Sequence, residues 1–457
     1  MFNKELLLTE GSIFKALVKL SIPLILTNIL QTAYNLIDTF WVGRLGKVAV
    51  AAVSLSFPII FIIISLGSGL AVAGSILVAK RKGAQDMNAV SHISSQTFFI
   101  VLAVSIFLSI AGYWATPYLV AIMHAGPEVY TEAVSYLKIS FLGLPFMFIF
   151  VTFQSIMRSL GEVYVPFYIV LATVLLNLIV DPLFIFGWKD WISGYGVSGA
   201  AIATVFTQFL GAVLALYFLL KGFRGVHIKL KDYRPDTKLI KEMFKLGLPV
   251  SIEQVSRSTG IFIMVMLVAQ FGTLALASYG IGSRILSFII IPAFGLGMAT
   301  STLVGQNIGA KTYDRVKKTL KLSLGIAFGV LSFFGLIFYV LAPEIACVFI
   351  PNDPETIKES AVFIKNLAVS FGFLGILIVL IGAFRGAGKT KISMLLAVFS
   401  VWILRFPLAY YLSFHTGLKI RGIWLSYPVT NILTALAGLL ILIRYKWLTE
   451  IDENKAG

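Results

Sequence analysis

The chain has 457 residues, 58% of them hydrophobic and 13% charged, with a mean hydropathy of +0.92. A water-soluble protein of this length needs a far more charged surface, so the composition places the chain in a bilayer. The net charge of +16 does not mark a nucleic-acid partner: Lys and Arg gather in short loops between apolar runs, and the aromatics lie inside the runs.

The apolar runs are continuous and lack the ten-residue alternation of an outer-membrane barrel, so they read as helices. The first is too long for a signal peptide and has no small-residue cleavage site after it. Breaks at charges and Pro/Gly clusters give twelve spans, near 13–43, 51–79, 92–114, 130–157, 163–187, 196–220, 240–271, 274–305, 319–342, 356–384, 391–414 and 420–443.

Span one carries a polar stripe. At 3.6 residues per turn Asn28, Gln31, Tyr34, Asn35 and Asp38 share a face, with Thr27 beside it. A carboxylate at mid-depth costs roughly 2.5–3.5 kcal/mol, so Asp38 is expected to face a protein interior or a water-filled cavity. In span five Asn177 and Asp181 stand four residues apart and share a face; a purely structural Asp181 would instead cap a helix break at Pro182. In span six Thr204 offers a fourth oxygen. Two carboxylates, an amide and a hydroxyl suit a proton or a hard monovalent cation.

Basic residues follow the even-numbered spans: Lys80-Arg81-Lys82, Arg158, the 221–241 stretch, Lys311 to Lys318, Arg385 to Lys391, and Arg444 with Lys446. Arg44, Lys47, Lys189, Lys419 and Arg421 run against the trend. The bias puts both termini and the linker in the cytoplasm.

The halves are a duplication. KLSIPLILTNILQ at Lys19 returns as KLGLPVSIEQVSR at Lys245, and GSGLAVAGSILVAKRKGA at Gly67 returns as AFGLGMATSTLVGQNIGA at Ala293, both 226 residues later. Residues 19–90 align with 245–316 without a gap, and about 20 of the 72 pairs are identical. Six spans per half give parallel repeats related by an axis along the membrane normal. The expected division is an N-terminal lobe over 1–220, a cytoplasmic linker over 221–240 and a C-terminal lobe over 241–457. Prolines at 23, 58, 145, 182, 249, 292, 407 and 428 favour kinked, moving helices over a static channel.

The lobes differ where function is expected. Asp38 maps to Met264, Gln31 to Arg257, and Asn177 and Asp181 to Trp402 and Phe406. The second lobe has its own intramembrane charges, Glu253, Arg257, Arg284 and Arg405. Glu253 and Arg257, four apart, read as an ion pair, the alternative being a Glu253 that meets a cationic substrate. RGAGKT at 385–390 lacks the first glycine of a phosphate-binding loop, so no nucleotide site follows. The lone Cys347 and four scattered histidines offer no disulfide framework and no metal spacing.

KLSIPLILTNILQTAYNLIDTFWVGRLG in span one, FQSIMRSLG ending span four and LLNLIVDPLFIFG in span five resemble the multidrug and toxic compound extrusion (MATE) transporters over essentially the whole chain. The span-one Asp with the span-five N-x-x-x-D is similar to the DinF-like branch, archaeal members included. The resemblance implies an all-α membrane protein of twelve helices in two parallel six-helix lobes. It implies a secondary antiporter, not an enzyme, that exports cationic or amphipathic drugs in exchange for H⁺ or Na⁺.

It further implies that Asp38, Asn177, Asp181 and Thr204 form the cation-responsive site and hold Na⁺ if sodium is the coupling ion. Gln31, Tyr34, Asn35 and Gln154 would line the drug chamber, and Pro23 would be where span one bends. No cofactor beyond the coupling ion is expected. The expected setting is a monomer in the plasma membrane, whose partners are small drugs and lipid. The competing reading is a flippase for lipid-linked oligosaccharides or lipids of the same superfamily, against which twelve spans and an acidic N-lobe count.

Overall fold

The computed structural model describes residues 8–188, 192–228 and 234–444; Lys189, Lys446 and residues 229–233 of the linker lie outside the described residues. The helices are α1 (Ile13–Gly43), α2 (Lys47–Gly83), α3 (Met87–Ile122), α4 (Pro127–Ser159), α5 (Tyr164–Phe186), α6 (Gly196–Leu220), α7 (Thr237–Ala269), α8 (Thr273–Gly309) and α9 (Tyr313–Val340). They continue as α10 (Ala342–Phe349), α11 (Pro354–Ala368), α12 (Phe371–Gly386), α13 (Thr390–Val398), α14 (Phe406–Phe414) and α15 (Ile420–Arg444). Among the described residues, eleven spans are long and apolar enough to cross a bilayer, and the bent pair α11–α12, taken as one span, makes a twelfth. Their outward faces are apolar, with Phe107, Ile110, Trp114, Phe333, Leu336 and Ile443 all exposed, which only a lipid solvent accommodates on this scale.

Four local features depart from the sequence reading. Span ten is bent by 50° between Ala368 and Phe371. No proline stands there; the Ser370 hydroxyl donates back to the Leu367 carbonyl (3.0 Å) and accepts from Asn431 Nδ2 (3.0 Å), side-chain competition of the kind that bends helices. The stretch after span nine, read as a loop, holds α10, with Pro343 in its first turn. Helix α3 continues through Pro117 to Ile122. Span eleven runs as α13, a π-helical turn over Phe399–Arg405 and α14. Pro407 has no N–H to offer, and the Phe406 N–H reaches the Val401 carbonyl, five residues back instead of four. The wide turn carries Trp402 and Arg405.

Between α5 and α6 a two-residue hairpin pairs Gly187 with Ser193 and Trp188 with Ile192. Glu162, buried just before α5, does two jobs: one oxygen accepts the Tyr164 and Val165 N–H groups (3.0 and 3.3 Å), and the other takes Arg224 Nε and Nη2 (3.0 and 2.6 Å). The start of the linker is thereby tied to the N-terminus of α5. Asp236 caps α7 by accepting from the Lys238 and Leu239 N–H groups and meets His92 at 3.3 Å. The Leu239 N–H, then His92, then the Lys238 N–H hold the Asp236 carboxyl below its usual 3.8.

The chain packs as two compact units, one containing Ile22–Val255 and the other Leu8–Ser21 with the chain from Ser256 onward. The duplication divides the sequence at the linker, whereas packing assigns residues 241–255 to the first unit and 8–21 to the second. In the first unit α4 is central, against α2, α3 and α6, and Phe141, Phe148 and Phe153 fill the core. The early part of α7 belongs here because Gly69 and Gly247 let α2 and α7 close on each other; a Cβ on Gly69 would lie 2.4 Å from the Gly247 carbonyl oxygen. The Ser251 hydroxyl then reaches the Leu66 carbonyl at 2.8 Å.

In the second unit α8 lies against α9, α11 and α12, and Phe363, Trp424 and Tyr279 stack. Residues 8–11 are fastened to it by Arg315, which donates to the carbonyls of Leu8, Glu10 and Gly11.

Candidate cation site

The site lies within the first unit and is built from α1, α5 and α6. On α1 the 3.6-residue repeat sets Tyr34 and Asp38 on the inward stripe, while Gln31 and Asn35 are exposed. On α5 the i,i+4 spacing lets Asn177 Nδ2 donate to Asp181 Oδ1 at 2.7 Å, and both residues are fully buried. Helix α6 approaches because Gly199 has no side chain: a Cβ there would lie 2.2 Å from the Phe184 carbonyl oxygen. That approach brings the Thr204 hydroxyl to Asp38 Oδ2 at 3.3 Å. Asp38 also feels the Asp181 carboxylate and the Asn177 amide. All four residues expected from the sequence therefore converge.

Three buried oxygens of this cluster have no hydrogen-bond partner: Asp38 Oδ1, Asp181 Oδ2 and Asn177 Oδ1. An orphaned buried acceptor is costly, and three together suit one proton or one small cation. The alternative role of Asp181 as a cap at Pro182 does not fit, because α5 runs through Pro182 and Asp181 takes its hydrogen bond from Asn177.

Two residues that the sequence reading passed over extend the network. The Thr207 hydroxyl spends its proton on the Thr204 carbonyl (2.9 Å), so Tyr34, 2.7 Å away, is the donor to Thr207. Tyr34 is buried, its ring against Val170 and Val174; it supports the α6 side of the cluster. Tyr136 on α4 lies close enough to feel both carboxylates. Gln154 is half-buried on α4. Pro23 sits inside α1, and the Thr27 hydroxyl takes up its carbonyl at 2.8 Å.

The other candidates lie outside this cluster. Glu253 is fully buried on α7, Arg257 lies over the Phe294 ring at 5.8 Å and Arg284 over Phe349 at 5.9 Å. Met264, the counterpart of Asp38, is buried in the apolar core of the second unit, so no matching carboxylate stands there.

Two duplicated helical halves and a carboxylate pair buried in one of them define a membrane transporter built from parallel repeats. The MatE family model matches residues 23–183 and 249–411, stretches that begin at the same 226-residue spacing as the sequence repeats, and the chain belongs to that family. It is 27% identical to the probable multidrug resistance protein YoeA of Bacillus subtilis over 92% of this chain and 91% of the relative. It is 25% identical to the multidrug export protein MepA of Staphylococcus aureus over 100% and 99%. Among solved structures, an outward-facing multidrug resistance MATE transporter of the MOP superfamily superposes with a TM-score of 0.91 at 26% identity, covering 98% of this chain and all of that one.

Proposed function

We propose that this protein is a secondary multidrug efflux antiporter of the plasma membrane. It exports cationic or amphipathic compounds as H⁺ or Na⁺ enters through Asp38, Asn177, Asp181 and Thr204. The observation that carries this reading is the set of three unpartnered oxygens on Asp38, Asp181 and Asn177. The names of the relatives, multidrug resistance and multidrug export proteins, support the substrate class.

The mechanism follows from electrostatics. With both carboxylates ionised the cluster repels itself and attracts a cationic drug. Loading of a proton or Na⁺ on the orphaned oxygens removes that charge and lets α1 and α5 draw together, displacing the drug. The Tyr34–Thr207–Thr204–Asp38 chain of hydrogen bonds transmits the change along α1. Pro23 is where α1 can bend, since the helix lacks one N–H bond there. Gln31 and Asn35, exposed on the same helix, and Gln154 are the proposed drug contacts. One charge moving down ~100 mV supplies about 2.3 kcal/mol, a concentration ratio of roughly 50, so efflux needs no ATP. The charge bias of the loops supports cytoplasmic termini.

The test is dye release from proteoliposomes: a preloaded cationic dye should leave when H⁺ or Na⁺ is offered from the opposite side, and Asp38→Asn should lose nearly all of this at the cation concentration that half-saturates the wild type. Release driven equally by both variants would sink the proposal. Translocation of a lipid pyrophosphate with no dye movement would favour the flippase.

A further inference from the structure

The second unit holds a charge that the exchange of cations does not use. Arg405 sits at the end of the π-helical turn of span eleven, one residue before the counterpart of Asp181. Its Nε donates to Thr430 Oγ1 at 3.2 Å and its Nη2 to Asn431 Oδ1 at 2.7 Å, and its guanidinium lies 4.5 Å above the Tyr427 ring. These partners are themselves fixed. The Thr430 hydroxyl donates to the Tyr427 carbonyl, Asn431 Nδ2 donates to Ser370 at the bend of span ten, and the Tyr427 and Tyr279 hydroxyls meet at 3.1 Å. Thr430, Asn431, Tyr427 and Tyr279 are buried.

Both polar partners are neutral. No carboxylate among the described residues pairs with Arg405, and the nearby charge that it feels is another cation, Arg257. A guanidinium has five N–H donors; Nε and one Nη2 hydrogen are used, which leaves Nη1 and the second Nη2 hydrogen side by side. That open edge is the fork that grips a carboxylate with two parallel bonds. Arg405 is only partly enclosed, so the edge is reachable. An ionisable side chain inside a membrane, set in a π-helical turn and locked by buried neutral groups, is placed for a ligand and not for packing.

We propose that the second unit carries an anion half-site in which the open edge of Arg405 binds the carboxylate of an amphipathic aromatic acid or zwitterion. The transporter then accepts acids as well as cations, through a residue that lies outside the carboxylate cluster. The site does not depend on which ion drives transport.

The test uses full-length protein in nanodiscs and a matched probe pair, a rhodamine with a free carboxylate and its ethyl ester, read by fluorescence anisotropy. Arg405→Gln is expected to weaken the acid about tenfold and the ester less than twofold, and Arg405→Lys, which keeps the charge but loses the fork, to fall between. Equal losses for acid and ester, or no loss for either, would overturn the proposal. Where Arg405→Gln fails to fold, the acid-to-ester ratio of Arg405→Lys decides: a fall supports the site and an unchanged ratio refutes it. On the wild type, benzoate should displace the acid probe where chloride at equal ionic strength does not; displacement by both alike would reduce the site to nonspecific charge attraction and refute the carboxylate fork.

Discussion

If Asp38 and Asp181 hold one cation between them, their substitutions cannot act independently. A carboxylate 4 Å from a monovalent cation contributes up to about 4 kcal/mol at an effective dielectric of 20, or roughly three decades of affinity. Asp38→Asn and Asp181→Asn are isosteric, and Asn177 and Thr204 remain as ligands, so each single change should raise the cation concentration for half-maximal dye release by about a hundredfold. Once one carboxylate is lost the shared site is already broken, and the second substitution should add less than about tenfold, a coupling of at least ~1.4 kcal/mol. The assay is dye release from proteoliposomes across a cation titration for the four members of the cycle. A double variant about ten-thousandfold weaker than wild type, the product of two independent hundredfold losses, would refute the shared site.

Thr204→Val removes the 3.3 Å donor to Asp38; at the weak end for a charged acceptor, ~1.5 kcal/mol, cation affinity should fall about tenfold in the same titration. Tyr34→Phe, one link further along, should cost less than about fivefold while leaving dye affinity within twofold, since Tyr34 is buried. Glu162→Ala strands Arg224 in a half-enclosed position and uncaps α5, so it should destabilise by about 3–5 kcal/mol; a thermal-unfolding midpoint within a degree of wild type would contradict this, and Glu162→Ala with Arg224→Ala should recover part of the loss. Asp236→Ala removes the α7 cap and should cost about 1 kcal/mol, visible as faster hydrogen exchange over residues 237–241. Because the folded Asp236 carboxyl titrates below 3.8, that cap persists above 3.8 and is lost only as the pH falls through the lowered value. Wild-type exchange over the segment that rises already at pH 6 would contradict the assignment.

Much of this was legible because it is written in periodicity. The first span was bounded at 13 and 43, as α1 is, since charge and Gly43 frame one unbroken apolar run. Asn177, Asp181 and Asp38 stood out because polar oxygens are rare inside spans and each must find a partner. Thr207 did not: a threonine in an apolar run can satisfy itself on its own helix, as Thr207 does on the Thr204 carbonyl, and only the approach of α6 to α1 gives it Tyr34. The π-helical turn was half visible. Pro407 predicts a break in the bonding ladder but not whether the helix kinks or widens, a choice set by how Trp402 and Arg405 are held on Ser256, Thr430 and Asn431. The bend at Ser370 was invisible for the same reason, because Asn431 is 61 residues away. The assignment of residues 8–21 and 241–255 to opposite units also escaped the sequence, since duplication records ancestry and packing records contact.

The most direct test of the central claim is drug movement in proteoliposomes loaded with a fluorescent cationic drug, under an imposed proton or sodium gradient, for wild type and Asp38→Asn together. The account predicts gradient-driven drug movement in the wild type and almost none in Asp38→Asn at the cation concentration that half-saturates the wild type, with the gradient that works naming the coupling ion. Equal movement in both proteins would contradict coupling through Asp38 and Asp181 and move attention to Glu253 on α7.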